Sequence, residues 1–447
     1  MPNGVNFNEQ YPVISRSDAL CDRAMNLIPA LTQTLAKGPG QYVRGVAPTY
    51  LVKGEGSHVW DADGNEYIDY NMGIGPVSLG YCYAPVDHAI RNQLEFGITF
   101  SMMHPLEVQV AELIREVIPN ADMVRFAKTG ADVTSAAVRL ARAYTGRRNI
   151  LCCGYHGWHD WYIGVTDRSN GVIQEVRDHT FTFGYNDLNS VVDAIDNDTA
   201  CVILEPTVFE APQDNFLHRL RDTCEKNGSL LVFDEMWTGF RLSLGGAQEY
   251  FGVKADLATF SKAVANGMPL SVLTGRKDVM RLLDKDVFFF TTFGGETLSL
   301  AAAWATIQEM KSRRVPQFLA CQGKKLRDGV DQILSALDIR YISCVGFDCR
   351  TMLTFDSAIV NALEVKSLIQ QELIKRGILW SGFHTMSFSH SDQDVEHTLA
   401  AYQEIFPLVK ESVSSGTVRA LLLGEVIEPV FRRTGNFNVK PKKNTAP

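Results

Sequence analysis

"MVRFAKTGADVTSAAVRLARAYTGRRNILCCG", residues Met123 to Gly154, holds a short apolar run, a helical pattern and a second apolar run in that order. Within it, "SAAVRLARAYTG" spaces its apolar residues three and four apart, the period of one helix face. The flanking runs "MVRFAK" and "NILCCG" are short and apolar, as buried strands are. The alternation continues through "ACVILEP", "SLLVFDE" and "LATFSK", each followed or preceded by helical stretches. Strands alternating with helices predict βαβ units and a mostly parallel sheet, an α/β fold.

Working outward, the stretch from about Ala19 to Ala36 is amphipathic and ends in the breaker "GPG". "SHVWDADGNEYIDY" follows and predicts two strands around an Asp-Gly turn. After about Lys311 the pattern changes to amphipathic helices with a few strands, such as "ISCVGFDCRTMLTF", which predicts a second, smaller α/β domain. A polar tail is expected from about Arg433. The expected organisation is therefore an N-terminal segment of helix and hairpin over 1–70 that joins the small domain. A large domain follows over 71–310, and a C-terminal small domain with the tail over 311–447.

Composition excludes some partners. The 447 residues carry a formal charge of -8 with no basic block, so there is no electrostatic footprint for nucleic acid or an anionic membrane surface. The nine cysteines follow no zinc spacing and are odd in number, which argues for reduced thiols rather than a disulfide framework. "MPNGVNFNEQYPVISRSD" lacks the basic and apolar regions of a secretory signal, and no run of 18 apolar residues is present. A cytoplasmic protein acting on a small molecule is expected.

Three motifs carry less than they promise. "DADGNEY" begins like a calcium loop, but Glu66 stands where that loop needs glycine and Met72 where it needs its bidentate glutamate. "GIGPVSLG" lacks the Rossmann spacing and is read as a loop of close backbone approach. "YHGWHDW" offers two histidines and an aspartate without a third ligand at recognisable spacing, so no metal is expected.

Chemistry enters with Lys262, which closes the run "LATFSK". A lysine at the carboxyl edge of an open α/β sheet stands where ligands bind, and partial desolvation would lower its pKa and make it a nucleophilic amine. A solvated lysine at a strand end is the plain alternative. "LLVFDEMWTGFR" brings Asp234 to the same edge, and a buried acid needs a cationic partner. A protonated pyridine nitrogen would serve. Pyridoxal phosphate (PLP) catalysis requires such a pair: a lysine for the Schiff base and an acid that keeps the ring nitrogen protonated. Thr129, Gly130 and Ala131 open a strong helix, where unpaired N–H groups and the dipole favour a phosphate, and Asp132 reads as helix-terminus stabilisation. Tyr155 follows a strand and could cover the ring, or be an ordinary core aromatic.

These elements together resemble the class III aminotransferases of PLP fold type I, in particular the glutamate-1-semialdehyde aminomutase-like group. "VWDADGNEYIDY", "TGADVTSAAVRLARAYTGR", "GYHGWHD", "YND", "LEP", "FDEMWTGFR", "FSK" and "TTFGGETLSLAAA" occur in that family's order over roughly residues 40–400. The resemblance implies a seven-stranded, mostly parallel sheet in the large domain beside a smaller α/β domain. It implies that Lys262 is the Schiff-base lysine and proton shuttle, and that Asp234 is the ring-nitrogen partner. Thr129, Gly130 and Ala131 then match the phosphate-binding Ser-Gly-Thr, and Tyr155 the stacking aromatic, followed by His156. Asn186 and Glu205 match positions lining the cofactor, although Glu205 could equally be a strand-end acid paired with Arg241. Thr292 matches the threonine that reaches the phosphate from the neighbouring subunit, which implies a homodimer with shared sites.

Two departures bear on the reaction. The aminomutases hold a carboxylate-gripping arginine well before the proline matching Pro48. Here the nearby basic residue is Arg44, too close to match and kept only as a substrate candidate. The interval from Tyr155 to Asp187 is shorter than the mutase lid and is aromatic and charged. Trp158, Trp161 and Trp237 could wall a sugar-like or other neutral carbonyl substrate, or simply pack the sheet edge. The expectation is intermolecular transamination from an amino-acid donor to a small aldehyde or ketone acceptor, with intramolecular aminomutase transfer as the alternative.

Overall fold

The computed structural model describes residues 10–429 and 438–442. The chain divides into two units, one of Met1–Tyr83 with Gln317–Thr434 and one of Ala84–Pro316 with Gly435–Pro447.

The first unit begins with a helix, Ser15–Ala24, shorter than the amphipathic pattern predicts. Pro29 is the reason: it removes a donor and pushes Ile28 to extended φ/ψ, so short 3-10 turns at Pro29–Leu31, Leu35–Lys37 and Pro39–Gln41 replace a longer helix. Strands β1 (Leu51–Glu55), β2 (His58–Asp61) and β3 (Glu66–Asp69) follow as an antiparallel meander. The β2–β3 turn is built on Asp61. Its Oδ1 accepts from Asp63 N and Asn65 N, and its Oδ2 from Asn65 Nδ2 and Tyr67 Oη, so the acid of the calcium-like motif is occupied by its own loop.

The second unit holds a seven-stranded sheet: β4 (Met123–Ala127), β5 (Asn149–Cys153), β6 (Thr180–Thr182), β7 (Thr199–Leu204), β8 (Leu230–Asp234), β9 (Leu257–Phe260) and β10 (Ser271–Gly275). The order is β4-β10-β9-β8-β7-β5-β6. Every pairing from β9 to β6 is parallel, while β10 runs antiparallel to both β9 and β4. The strands β5, β7, β8 and β9 are buried at every residue, which is why they read as unbroken apolar runs. Between β4 and β5, the helix Gly130–Thr145 starts at a capping box between Thr129 and Asp132 and stops at Gly146 in the left-handed conformation. Its face of Val133, Ala136, Ala137, Leu140 and Ala141 is buried in the same core cluster as Ile150, Val232 and Leu273. Val133 and Leu140 each contribute about 1.5–3 kcal/mol by this burial, and the alanines less.

The chain returns to the first unit for the hairpin β11 (Ile342–Phe347) and β12 (Arg350–Phe355), then β13 (Ile378–Leu379) and β14 (Phe383–Thr385). β13 adds in parallel to β3, so the N-terminal meander and the C-terminal helices form one body. The polar tail expected from Arg433 lies partly outside the described residues. Its residues 438–442 lie along the sheet edge of the second unit, where Thr182 N donates to Lys440 O at 2.9 Å.

Two buried histidines give the first unit a pH signature. His384 bridges Thr351 Oγ1 and Tyr402 Oη, and His390 Nδ1 accepts from Ser387 N while its ring stacks on Tyr70. Burial pushes His384 down to about 3 and His390 down to about 4. Both bind a proton more readily when unfolded, so their contribution is complete above pH 6.5 and is lost as pH falls toward 4. Each should cost on the order of 2 kcal/mol between pH 7 and pH 5. His58, raised chiefly by its hydrogen bond to Asp394, works in the opposite sense, its contribution being complete below pH 6.5 and lost as pH rises above that value. The urea midpoint is expected to fall on acidification, and His384→Gln should flatten that slope.

Candidate active site

β4 and β9 both run opposite to β10, and β5, β7, β8 and β9 are mutually parallel, so the carboxyl ends of five strands share one edge of the sheet. Thr129 follows β4, Tyr155 and His156 follow β5, Glu205 follows β7, Asp234 ends β8 and Lys262 follows β9. One local feature marks the last of these. Lys262 has φ +43, a left-handed conformation disfavoured for a side chain of its size, and such strain collects at functional sites.

Asp234 is 1% exposed, and its carboxylate is held from two directions. Oδ2 accepts from His156 Nδ1 at 2.8 Å, and Oδ1 from Met236 N at 3.1 Å. Sequence reasoning supplied the acid with a ligand nitrogen alone. The structure supplies His156 first, which carries its proton on Nδ1 because the carboxylate can only accept. The other ring nitrogen, Nε2, is buried without a hydrogen-bond partner among the described residues. No spacing rule in the sequence pairs residues 156 and 234; only adjacency of β5, β7 and β8 does.

Glu205 Oε2 accepts from Tyr155 N at 2.9 Å. Its carboxyl is pushed up, first by burial and then by Asp234, while His156 and Lys262 pull it back. Tyr155 is likewise raised by burial, then by Asp234 and Glu205. Tyr155, His156, Glu205, Asp234 and Lys262 thus form one electrostatic cluster. Beside it, Thr129 N donates to Asp132 Oδ2 at 2.8 Å and Asp132 N to Thr129 Oγ1 at 3.3 Å, leaving the N–H groups of Gly130 and Ala131 in a first helical turn without intrahelical acceptors. A Cβ on Gly157 would lie 2.7 Å from that of Ala131, so glycine lets the 156–157 loop close onto this helix end.

The profile described as "Aminotransferase class-III" matches residues 42–391. The chain is a class III aminotransferase. It is 32% identical over 412 residues to a 3-aminobutyryl-CoA aminotransferase of Cloacimonas acidaminovorans, covering 89% of this chain and 98% of the relative. It is 33% identical over 424 residues to a glutamate-1-semialdehyde 2,1-aminomutase of Archaeoglobus fulgidus, covering 88% and 99%. A solved structure of the FumI protein of Sphingopyxis sp. MTA144 in a PLP form superposes with a TM-score of 0.83 at 29% identity, covering 90% of this chain and 98% of that one. An omega-transaminase from Sphaerobacter thermophilus shares the fold, with a TM-score of 0.79 at 24% identity over 88% of this chain and 98% of its own.

The aminotransferase is PLP-dependent, as its family is. Its residues fit that cofactor: a helix N-terminus with unpaired N–H groups for the phosphate, and a buried acid for the ring nitrogen. Other side chains picked out in the sequence stand elsewhere. Trp161 is buried, with Nε1 donating to Ser135 Oγ at 3.0 Å, and Trp237 is buried, with Nε1 donating to Thr207 O at 2.9 Å. Of the two readings offered for these tryptophans, Trp161 and Trp237 follow the packing one, with their N–H groups satisfied in the interior, whereas Trp158 is exposed. Asn186 spends its amide on the backbone of the loop after β7, donating to Ala211 O and accepting from Gln213 N. Thr292 lies exposed in the segment before the helix Thr297–Ser312. Arg44, in the first unit, pairs with Glu425 at 3.4 Å on the surface.

Proposed function

We propose that the enzyme moves an amino group between two molecules, from an amino-acid donor to a small aldehyde or ketone acceptor that can be sugar-like. The observation that carries this reading is the anchoring of the interval from Tyr155 to Asp187. Trp161, Tyr162 and Val165 are buried in the core cluster, and Tyr162 Oη donates to Gly154 O at 2.9 Å. A segment fastened within its first third is a poorer closing lid, and an aminomutase needs a lid to retain its substrate between half-reactions.

When bound, pyridoxal phosphate supplies an electron sink for the donor's Cα–H bond and carries the amino group between the two substrates. The side chains do the rest. Lys262 Nζ, at the carboxyl end of β9, is the group that would take up and move the donor's Cα proton. Asp234 keeps the ring nitrogen protonated, with His156 fixing the carboxylate. Thr129, Gly130 and Ala131 hold the phosphate, Tyr155 covers the ring, and Glu205 lines the same side. Trp158 is the substrate-facing aromatic.

The working form in this proposal is a cytoplasmic homodimer in which Thr292 reaches the partner's phosphate. Support comes from the apolar surface around it. Phe288, Phe290 and Phe293 flank Thr292 and are exposed, as are Phe96, Met102 and Met103. A groove of about 490 Å³ beside them is lined by Met103, Val108 and Thr291 together with the charged Glu107, Glu112, Arg115 and Arg125. Apolar exposure on this scale marks an association surface. The buried Cys201 and Cys224, placed as core hydrophobes, support a reducing compartment.

A panel of donors and acceptors, read by the spectral change of the bound cofactor, tests the reaction. Turnover is expected only when both donor and acceptor are present. Turnover of a single amino-aldehyde with no added donor would overturn the intermolecular reading in favour of the mutase.

A further inference from the structure

Lys128 lies between the end of β4 and the N-cap Thr129, with its ammonium turned inward. Its Nζ donates to Glu296 Oε2 at 2.8 Å and to Ser299 Oγ at 3.1 Å. Glu296 is the N-cap of the helix Thr297–Ser312, and its carboxylate accepts from Leu298 N at 2.6 Å, Ser299 N at 3.3 Å and Ser299 Oγ at 2.6 Å. The two side chains are only 19% and 12% exposed. Burial raises the Glu296 carboxyl, but the hydrogen bonds from Lys128 and Ser299 outweigh it and hold the group below its ordinary value. A pair this desolvated and this well hydrogen-bonded constrains geometry far more than a surface pair does.

What the pair joins gives it a role. Lys128 is the residue before the phosphate cradle, and Glu296 closes the segment that carries Thr292. That segment lies against β4, where a Cβ on Gly294 would stand 2.9 Å from Phe126 O, and against the helix Pro105–Val117, where one on Gly295 would stand 2.7 Å from Glu107 Oε1. The root of the cradle and the root of the segment proposed to reach the partner's phosphate are therefore tied by one ion pair.

We infer that Lys128 and Glu296 are positioning residues that hold the cradle at 129–131 and the Thr292 segment in register, so that the enzyme's grip on phosphate depends on them. The inference rests on the cradle assignment above and, for the second loop, on Thr292 acting in the partner's site. Neither residue touches substrate or ring; both act through the loops they fix.

The test is cofactor affinity of the apoenzyme, titrated separately with pyridoxal phosphate and with pyridoxal, which lacks the phosphate. Lys128→Met should raise the Kd for pyridoxal phosphate by about tenfold or more while changing that for pyridoxal by less than about twofold, the loss of one charge-assisted contact. Lys128→Arg still donates to Glu296 and Ser299 and should restore most of the affinity. Equal weakening toward both ligands, or weakening toward neither, overturns the inference. Should Lys128→Met fail to fold, Glu296→Gln keeps the capping acceptor, removes the charge and gives the same comparison. Thr292→Val separates the two readings: full phosphate affinity there would overturn action across the dimer, while the Lys128 comparison still decides the strut.

Discussion

Replacing Lys262 with alanine should lower the transamination rate by about four orders of magnitude, the upper end of what a positioned acid–base group contributes. The proposed role leaves no substitute, because the same Nζ binds the cofactor covalently and moves the Cα proton. The backbone there is already left-handed, at φ +43, and alanine accepts that conformation no worse than lysine, so the variant should fold. Added small primary amines should recover part of the rate if the missing function is proton transfer. Borohydride reduction of the wild-type holoenzyme should leave the pyridoxyl mass on the peptide containing residue 262. A label on another lysine, or a variant keeping more than about one hundredth of the rate, would sink the assignment.

The second large effect is expected at Asp234. Asp234→Asn should reduce kcat by about 10²–10³-fold, in the range seen when a preorganised electrostatic group is removed from a dry site. The amide has one oxygen for the two donors: it can accept from Met236 N while its Nδ2 donates to His156 Nδ1, which then carries its proton on Nε2, so the fold is expected to survive. In the proposed role, however, the carboxylate's negative charge is what makes protonation of the ring nitrogen favourable. The variant should therefore bind the cofactor with an altered absorbance spectrum and respond to the donor slowly. A carboxylate that serves only to satisfy the buried histidine would instead lower thermal stability and leave kcat of the folded fraction unchanged. Measuring both kcat and the unfolding midpoint separates these outcomes.

Much of this architecture was legible in order along the chain, and the reason is local. A buried parallel strand must be apolar on both faces, and a helix on such a sheet must show one apolar stripe, so β4, the helix after it and β5 could be read from "MVRFAK", "SAAVRLARAYTG" and "NILCCG". Thr129 and Asp132 announce a helix start by chemistry contained within four residues. The first helix was read too long because Pro29 outweighs a weak amphipathic pattern. β6 was not foreseen, since three residues at a sheet edge carry too little pattern to register.

The order of the chemical groups was in the sequence; their pairing was not. Lys262, Asp234, Glu205 and Tyr155 could be placed one by one after apolar runs, because a strand end is a local property. Which acid meets which base depends on the order of strands in the sheet, and hydrogen bonding between β8, β7 and β5 brings His156 to Asp234 across 78 positions of chain. Sheet order likewise leaves β4 on an edge beside the Thr292 segment, where Lys128 meets Glu296 across 168 positions. The burial of Trp161 and Trp237 was decided there too, because an indole turns inward only when a neighbouring element offers its N–H an acceptor. Contacts between residues far apart in the chain are fixed by tertiary closure, which no local period encodes.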